Sequence, residues 1–178
     1  MKRIFLLRHA KSDWSDPEAG DHQRPLNRRG RRAAAALAEY IRQQRIRPDI
    51  ILCSTATRAR ETLERLGDAA GDATERHEKA LYLAGPEKLL ARLARLPAET
   101  RSAMLVGHNP GMQILAMLLA GPGSDRAAAA DLGRGFATGA LACFEADSED
   151  WRGLVPGDAR LVSFVRPRNL DADGRLTG

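Results

Sequence analysis

Cysteine is scarce in this chain: two residues in 178, Cys53 and Cys143, each inside an apolar stretch and with no regular spacing between them. That excludes a disulfide framework and a zinc site, and leaves both thiols to be read as small buried hydrophobes of a reducing compartment. Aromatic residues make up only 4% of the chain, too few rings for a platform that stacks single-stranded bases. Long hydrophobic runs are missing as well. The N-terminal MKRIFLL offers too few apolar residues before Arg8 to form a signal-peptide core or a membrane span, so a cytoplasmic protein is expected. There is no internal repeat, and DADG at Asp171–Gly174 is too short for a calcium loop.

What is present suits one packed domain. With 43% hydrophobic residues in 178, the chain can bury a core, and a single domain over residues 1–170 with a tail at 171–178 is expected. Its formal charge is +5 and arginine greatly outnumbers lysine, which favours anionic partners because the guanidinium fork matches phosphate and carboxylate. Arg28, Arg29, Arg31 and Arg32 crowd the start of a helix, where they oppose its macrodipole. They read either as a solvated helix face or as an attractant for an acidic partner.

Short apolar runs alternate with stretches of helical period, the pattern of βα units around a largely parallel sheet. Strands are expected at Lys2–Leu7, Asp49–Ser54, Ser102–Gly107 and, more weakly, Glu75–Lys79. The segments GALACFEA and ARLVSFV read as a late hairpin or as neighbouring edge strands. A helix capped by Asn27 puts Ala33, Leu37, Tyr40 and Ile41 on one face. Others follow from about Ala56 to Gly71, from Pro86 to Leu96 and from Pro110 to Ala120. The alanine run 127–130 carries no periodic pattern and is read as loop.

Open α/β sheets bind ligands beyond the carboxyl ends of their strands. Here those ends carry Arg8 and His9, Ser54 with Arg58 a helical turn later, and Gly107, His108 and Asn109; Arg24 sits in the loop after the first strand. Two imidazoles and three guanidiniums at one edge suit a dianionic phosphoryl group, which guanidiniums bind bidentately and which a neutral imidazole attacks to form phosphohistidine. A metal site at His9 and His108 is disfavoured by adjacent Arg8 and by the lack of a convergent carboxylate or cysteine, so no metal and no cofactor is expected. His22 and His77 lack such companions and read as surface or loop residues.

These stretches resemble the signatures of the histidine phosphatase superfamily. LLRHAKS is similar to its first histidine motif in the form typical of the SixA-like phosphohistidine phosphatases. DHQRPLNRRG resembles D-x-x-R-P-L-x-x-x-G, STATRARET resembles S-x-x-x-R-A-x-x-T, and VGHNPG resembles the second histidine motif. The resemblance spans about Lys2 to Leu170. It implies a phosphoglycerate mutase-like α/β fold, a mainly parallel central sheet flanked by helices on both faces, minimal and without a cap insertion. It further implies that His9 is the phosphoryl-accepting nucleophile, that Arg8 and Arg58 bind the phosphoryl oxygens, and that His108 donates to the transferring group. Arg24 and Asn109 are the substrate-binding residues expected beside them.

One departure bears on the substrate. Where many phosphomonoesterases of the superfamily carry a general-acid carboxylate, this chain has Ala80 and Leu81, and the nearby Glu78 and Glu87 read more simply as a strand edge and a helix first-turn acid. An enzyme without a strong acid suits a leaving group that departs easily, such as the imidazole of phosphohistidine. A phosphorylated protein or a small phosphate ester is therefore the expected partner, with neither nucleic acid nor membrane. The alternatives are a small-molecule phosphomonoesterase or mutase on the same scaffold and, further off, a non-catalytic module binding phosphate or nucleic acid.

Overall fold

The computed structural model describes residues 1–177. In chain order it contains β1 (Lys2–Arg8), α1 (Arg28–Gln43), β2 (Ile50–Ser54), α2 (Thr57–Leu66), β3 (Thr74–Glu78), α3 (Pro86–Leu93), β4 (Ser102–Gly107), α4 (Gly111–Leu119), α5 (Arg126–Gly133), β5 (Leu141–Ala146) and β6 (Ala159–Val165). The strands form one sheet in the order β3-β2-β4-β1-β5-β6. Neighbours from β3 to β1 run parallel, while β5 is antiparallel to both β1 and β6. The late pair is thus an internal antiparallel strand followed by an edge strand.

Alternation along β1 divides the core. Ile4 and Leu6 pack with α3, α4 and α5, whereas Phe5 and Leu7 pack with α1 and α2. Helices on both faces explain why β1, β2 and β4 read as unbroken apolar runs: each residue meets a helix whichever way it points. The edge strand β3, TERHE, is mostly exposed, and its charges keep that edge from pairing with another chain.

α1 begins where expected, with the Asn27 side chain accepting from Gly30 N at 2.8 Å. Gly30 is required there, since a Cβ would lie 2.1 Å from the Lys11 carbonyl oxygen. That close approach, with Asn27 N donating to the same carbonyl at 3.0 Å, ties α1 to the loop after β1.

Three local expectations need correction. The alanine run is not a loop: Arg126–Gly133 is helical, with Asp125 accepting from Ala128 N at 2.8 Å as its N-cap. α2 stops at Leu66 and continues as a 3-10 turn over Gly67–Ala70, because Gly67 takes a positive φ. Of the segment 171–178 expected as a tail, whose last residue lies outside the described ones, Asp173 and Gly174 lie against α1: the Asp173 carbonyl accepts from Gln43 Nε2, and Gly174 approaches Tyr40 and Ala36 too closely for any Cβ.

Candidate active site

The carboxyl ends of β1, β2 and β4 converge as the strand order requires, with Arg8 opposite Gly107 in the β1–β4 register. Arg8, His9, Arg24, Arg58, His108 and Asn109 all line one cavity of about 410 Å³. The motif spacing then acquires physical meaning. Ser54 Oγ lies 2.7 Å from His108 Nε2, Arg58 reaches His9, and Thr62 Oγ1 accepts from Ala10 N at 2.9 Å while donating to the Arg58 carbonyl at 2.6 Å. Residues 58 and 62 of α2 thus meet the loop that carries His9, while Ser54 at the end of β2 meets His108.

The tautomer of His9 follows from its two contacts. Nδ1 lies 2.7 Å from the Ala10 carbonyl oxygen, which can only accept, so Nδ1 carries the proton. Nε2 is then the lone-pair nitrogen, and Arg58 Nε donates to it at 3.2 Å. Burial pushes the His9 pKa down to about 3, with His108, Arg58 and Arg8 acting in the same direction against the Ala10 hydrogen bond. Burial first, then Arg58, lowers His108 to about 3 as well. Both imidazoles are neutral at ordinary pH.

Asp21, which composition and spacing did not single out, organises the cations. Its Oδ1 accepts from Arg24 Nη2 at 2.7 Å, its Oδ2 from Arg58 Nη2 at 3.1 Å and from the Tyr82 hydroxyl at 2.5 Å, and its carbonyl from Arg58 Nη1 at 2.6 Å. The Tyr82 hydroxyl, then the two guanidiniums, hold this carboxyl well below the usual carboxylate range. Arg24 is buried, donates to Ser12 Oγ at 2.8 Å, and stacks its guanidinium 3.4 Å from the ring centre of exposed Trp14.

The opposite wall is made by a backbone group. The Phe136 carbonyl accepts from Arg8 Nη1 at 2.8 Å and from Asn109 Nδ2 at 3.0 Å, fixing both side chains from the turn after α5. Arg8 Nε, His108 Nδ1 and Asn109 Oδ1 are buried without a partner among the described residues. Two donor-capable nitrogens left open beside a basic cavity are what an anion's oxygens would complete.

Glu78 is held by Arg92 through contacts of 2.7 to 3.0 Å. Glu87 is exposed at the first turn of α3. Neither lines the cavity. His77 is on exposed β3 beside Glu75. His22 departs from the surface reading: its ring meets Tyr82 edge-on at 4.8 Å, and its Nε2 lies 3.0 Å from Thr55 Oγ1. The one signal that could have found Asp21 and His22 is their position three and two residues before Arg24, within a motif whose arginine was already suspect.

A family model described as "Histidine phosphatase superfamily (branch 1)" matches residues 4–81, which hold the first three motifs. An uncharacterised protein of Mycobacterium tuberculosis is 38% identical over 91% of this chain and 100% of its own length. A chain of Agrobacterium tumefaciens assigned as the phosphohistidine phosphatase SixA is 34% identical, with a TM-score of 0.79 over 93% of this chain and 98% of that one. The chain belongs to the histidine phosphatase superfamily. A SixA assigned in Nakamurella multipartitia, at 31% identity and TM-score 0.79 over 93% of this chain and 96% of that one, also aligns. Together these matches place the chain in the SixA-like branch. The phosphoglycerate mutase-like fold extends further, to a mycobacterial glucosyl-3-phosphoglycerate phosphatase at 20% identity and TM-score 0.62, over 90% of this chain and 96% of that one.

Proposed function

We propose that the protein is a cytoplasmic phosphohistidine phosphatase that works through phosphorylated His9. The carrying observation is the pair of contacts on that ring: Nδ1–H held by the Ala10 carbonyl, and an unprotonated Nε2 whose lone pair accepts from Arg58 Nε. In the reaction Arg8, Arg58 and Arg24 hold the phosphoryl oxygens, Nε2 attacks phosphorus, and the bond from phosphorus to the leaving nitrogen breaks. The proton stays on Nδ1 and is donated in a hydrogen bond to the Ala10 carbonyl, which supports the positive charge gained by the ring. His108 donates to the transferring group, beside Asn109, whose Nδ2 is held by the Phe136 carbonyl. Water then attacks the phosphoenzyme, giving inorganic phosphate and free His9.

The substrate reading rests on the acid that is missing. Asp21 is held ionised and Glu78 is bound to Arg92, so neither brings a proton to an alkoxide. An imidazole leaves without one far more readily. Access agrees, since only residues 67–73 join α2 to β3 and no cap is inserted there. The buried, unpaired Cys53 and Cys143 suit a reducing compartment.

The test is phosphate release, with chelator present, from a phosphohistidine-bearing protein and from a small phosphomonoester, comparing wild type with His9→Ala. Release favouring phosphohistidine and lost in the variant is the expected result. Release from the monoester alone would move the substrate to metabolites, as for the glucosyl-3-phosphoglycerate phosphatase that shares the fold, and full activity in His9→Ala would end the nucleophile assignment.

A further inference from the structure

A second cavity, of about 240 Å³, lies beside the first, and Lys11 and Thr138 line both. Its charged residues are Lys11, Arg29, Arg166 and Arg168, and no aspartate or glutamate lines it. None of these four cations takes part in an ion pair among the described residues, whereas Arg42, Arg92, Arg134, Arg160 and Arg175 each have a carboxylate. Arg166 is only 7% exposed. Its Nη2 donates to the carbonyls of Asp131 and Gly135, while its Nε is buried with no partner. A guanidinium removed from water and left incomplete is unfavourable unless an anion joins it. Arg29 stands in the first turn of α1, against the macrodipole, so helix stability does not account for it.

We infer that this cavity is an anion subsite for the same substrate whose phosphoryl group lies at His9: on a phosphorylated protein, it takes the carboxylate of an Asp or Glu close to the phosphohistidine. The inference rests on the phosphatase reading above and adds to it a preference for acidic sequence around the modified residue. Lys11 and Thr138 line both cavities, so the second anion would adjoin the first.

The experiment uses two phosphohistidine peptides, one flanked by Asp and Glu and the other by Asn and Gln, at fixed ionic strength. Beside them run two monoesters, phosphoglycolate with its carboxylate and phenyl phosphate without one. Wild type is compared with Arg29→Ala/Arg168→Ala and with Arg134→Ala/Arg160→Ala, which removes the same charge from arginines already paired with Asp131 and Glu145. Wild type and the second variant should show a KM about two- to fivefold lower for the acidic peptide, and the first variant should lose that preference. Equal KM values in wild type, or a preference surviving Arg29→Ala/Arg168→Ala, would overturn the subsite. If the esters are hydrolysed and the peptides are not, the phosphohistidine reading falls, and the subsite is judged by the same criterion on phosphoglycolate against phenyl phosphate. If nothing is hydrolysed the phosphatase reading falls. Calorimetric titration of the acidic peptide then decides: binding that is lost in Arg29→Ala/Arg168→Ala supports the subsite, and binding that is retained there or absent from wild type rejects it.

Discussion

His9 and His108 lie with ring centres 5.1 Å apart, both nearly inaccessible and both neutral. In the unfolded chain each imidazole binds a proton near 6.5, in the folded one near 3. Between those values the unfolded state binds more protons, so stability is complete above about pH 6.5 and falls as pH drops toward 3, by about 1.4 kcal/mol per pH unit for a single histidine. Urea denaturation from pH 7.5 to 4.5 should show that decline, and His9→Gln should flatten part of it; histidine NMR should find the His9 ring neutral, protonated on Nδ1, throughout pH 5–8. A His9 resonance titrating near 6.5 would contradict the buried-ring geometry. Arg8, His9, Arg58 and His108 were legible in the sequence because few side chains of those types end successive strands without cause. Ser54 was placed at that edge and Asp21 stood inside a quoted motif, but their partners were not legible, nor were Tyr82 and the Phe136 carbonyl, because such groups act by accepting or orienting hydrogen bonds, and nothing in a residue's type announces which neighbour it will hold.

At the scale of elements, the joint between α1 and the loop after β1 is the feature most sensitive to change. Gly30→Ala would drive a methyl group into the Lys11 carbonyl, a backbone atom that cannot swing aside. A loss of about 1–3 kcal/mol in denaturant unfolding is expected, together with a fall in kcat/KM, since Lys11 follows His9 by two residues. Gly133→Ala is the control, with nothing within 4 Å of its added Cβ, and should be neutral or slightly stabilising. α1 was readable from its capping asparagine and 3.6-residue period. α5 was not: alanine forms helices well, but a run of it shows no apolar stripe, and only Ala128 and Leu132 are buried in the helix. The end of α2 was overrun because GDAA continues the apolar spacing, while the break depends on the backbone angle at Gly67.

For the molecule as a whole, charge is the lever. A net +5, with cations outnumbering the one carboxylate, Asp21, that lines two adjoining cavities, should draw anionic substrates inward. KM should therefore rise severalfold between about 0.05 and 0.5 M salt with little change in kcat; a KM indifferent to salt would mean that local contacts alone bind the substrate. The parallel sheet and its two helical layers could be read from the βα alternation. The reversal at β5 could not, since the direction of a strand is decided by how its connection crosses the sheet. The carbonyl that fixes the His9 tautomer belongs to the very next residue, so that ring is set within a single dipeptide, while other polar groups of the two cavities arrive from the Arg24 loop, α2, the turn after β4 and α1. Selection can exchange those outer groups one at a time and leave the blade unmoved, like a cutting tool whose jaws are replaceable.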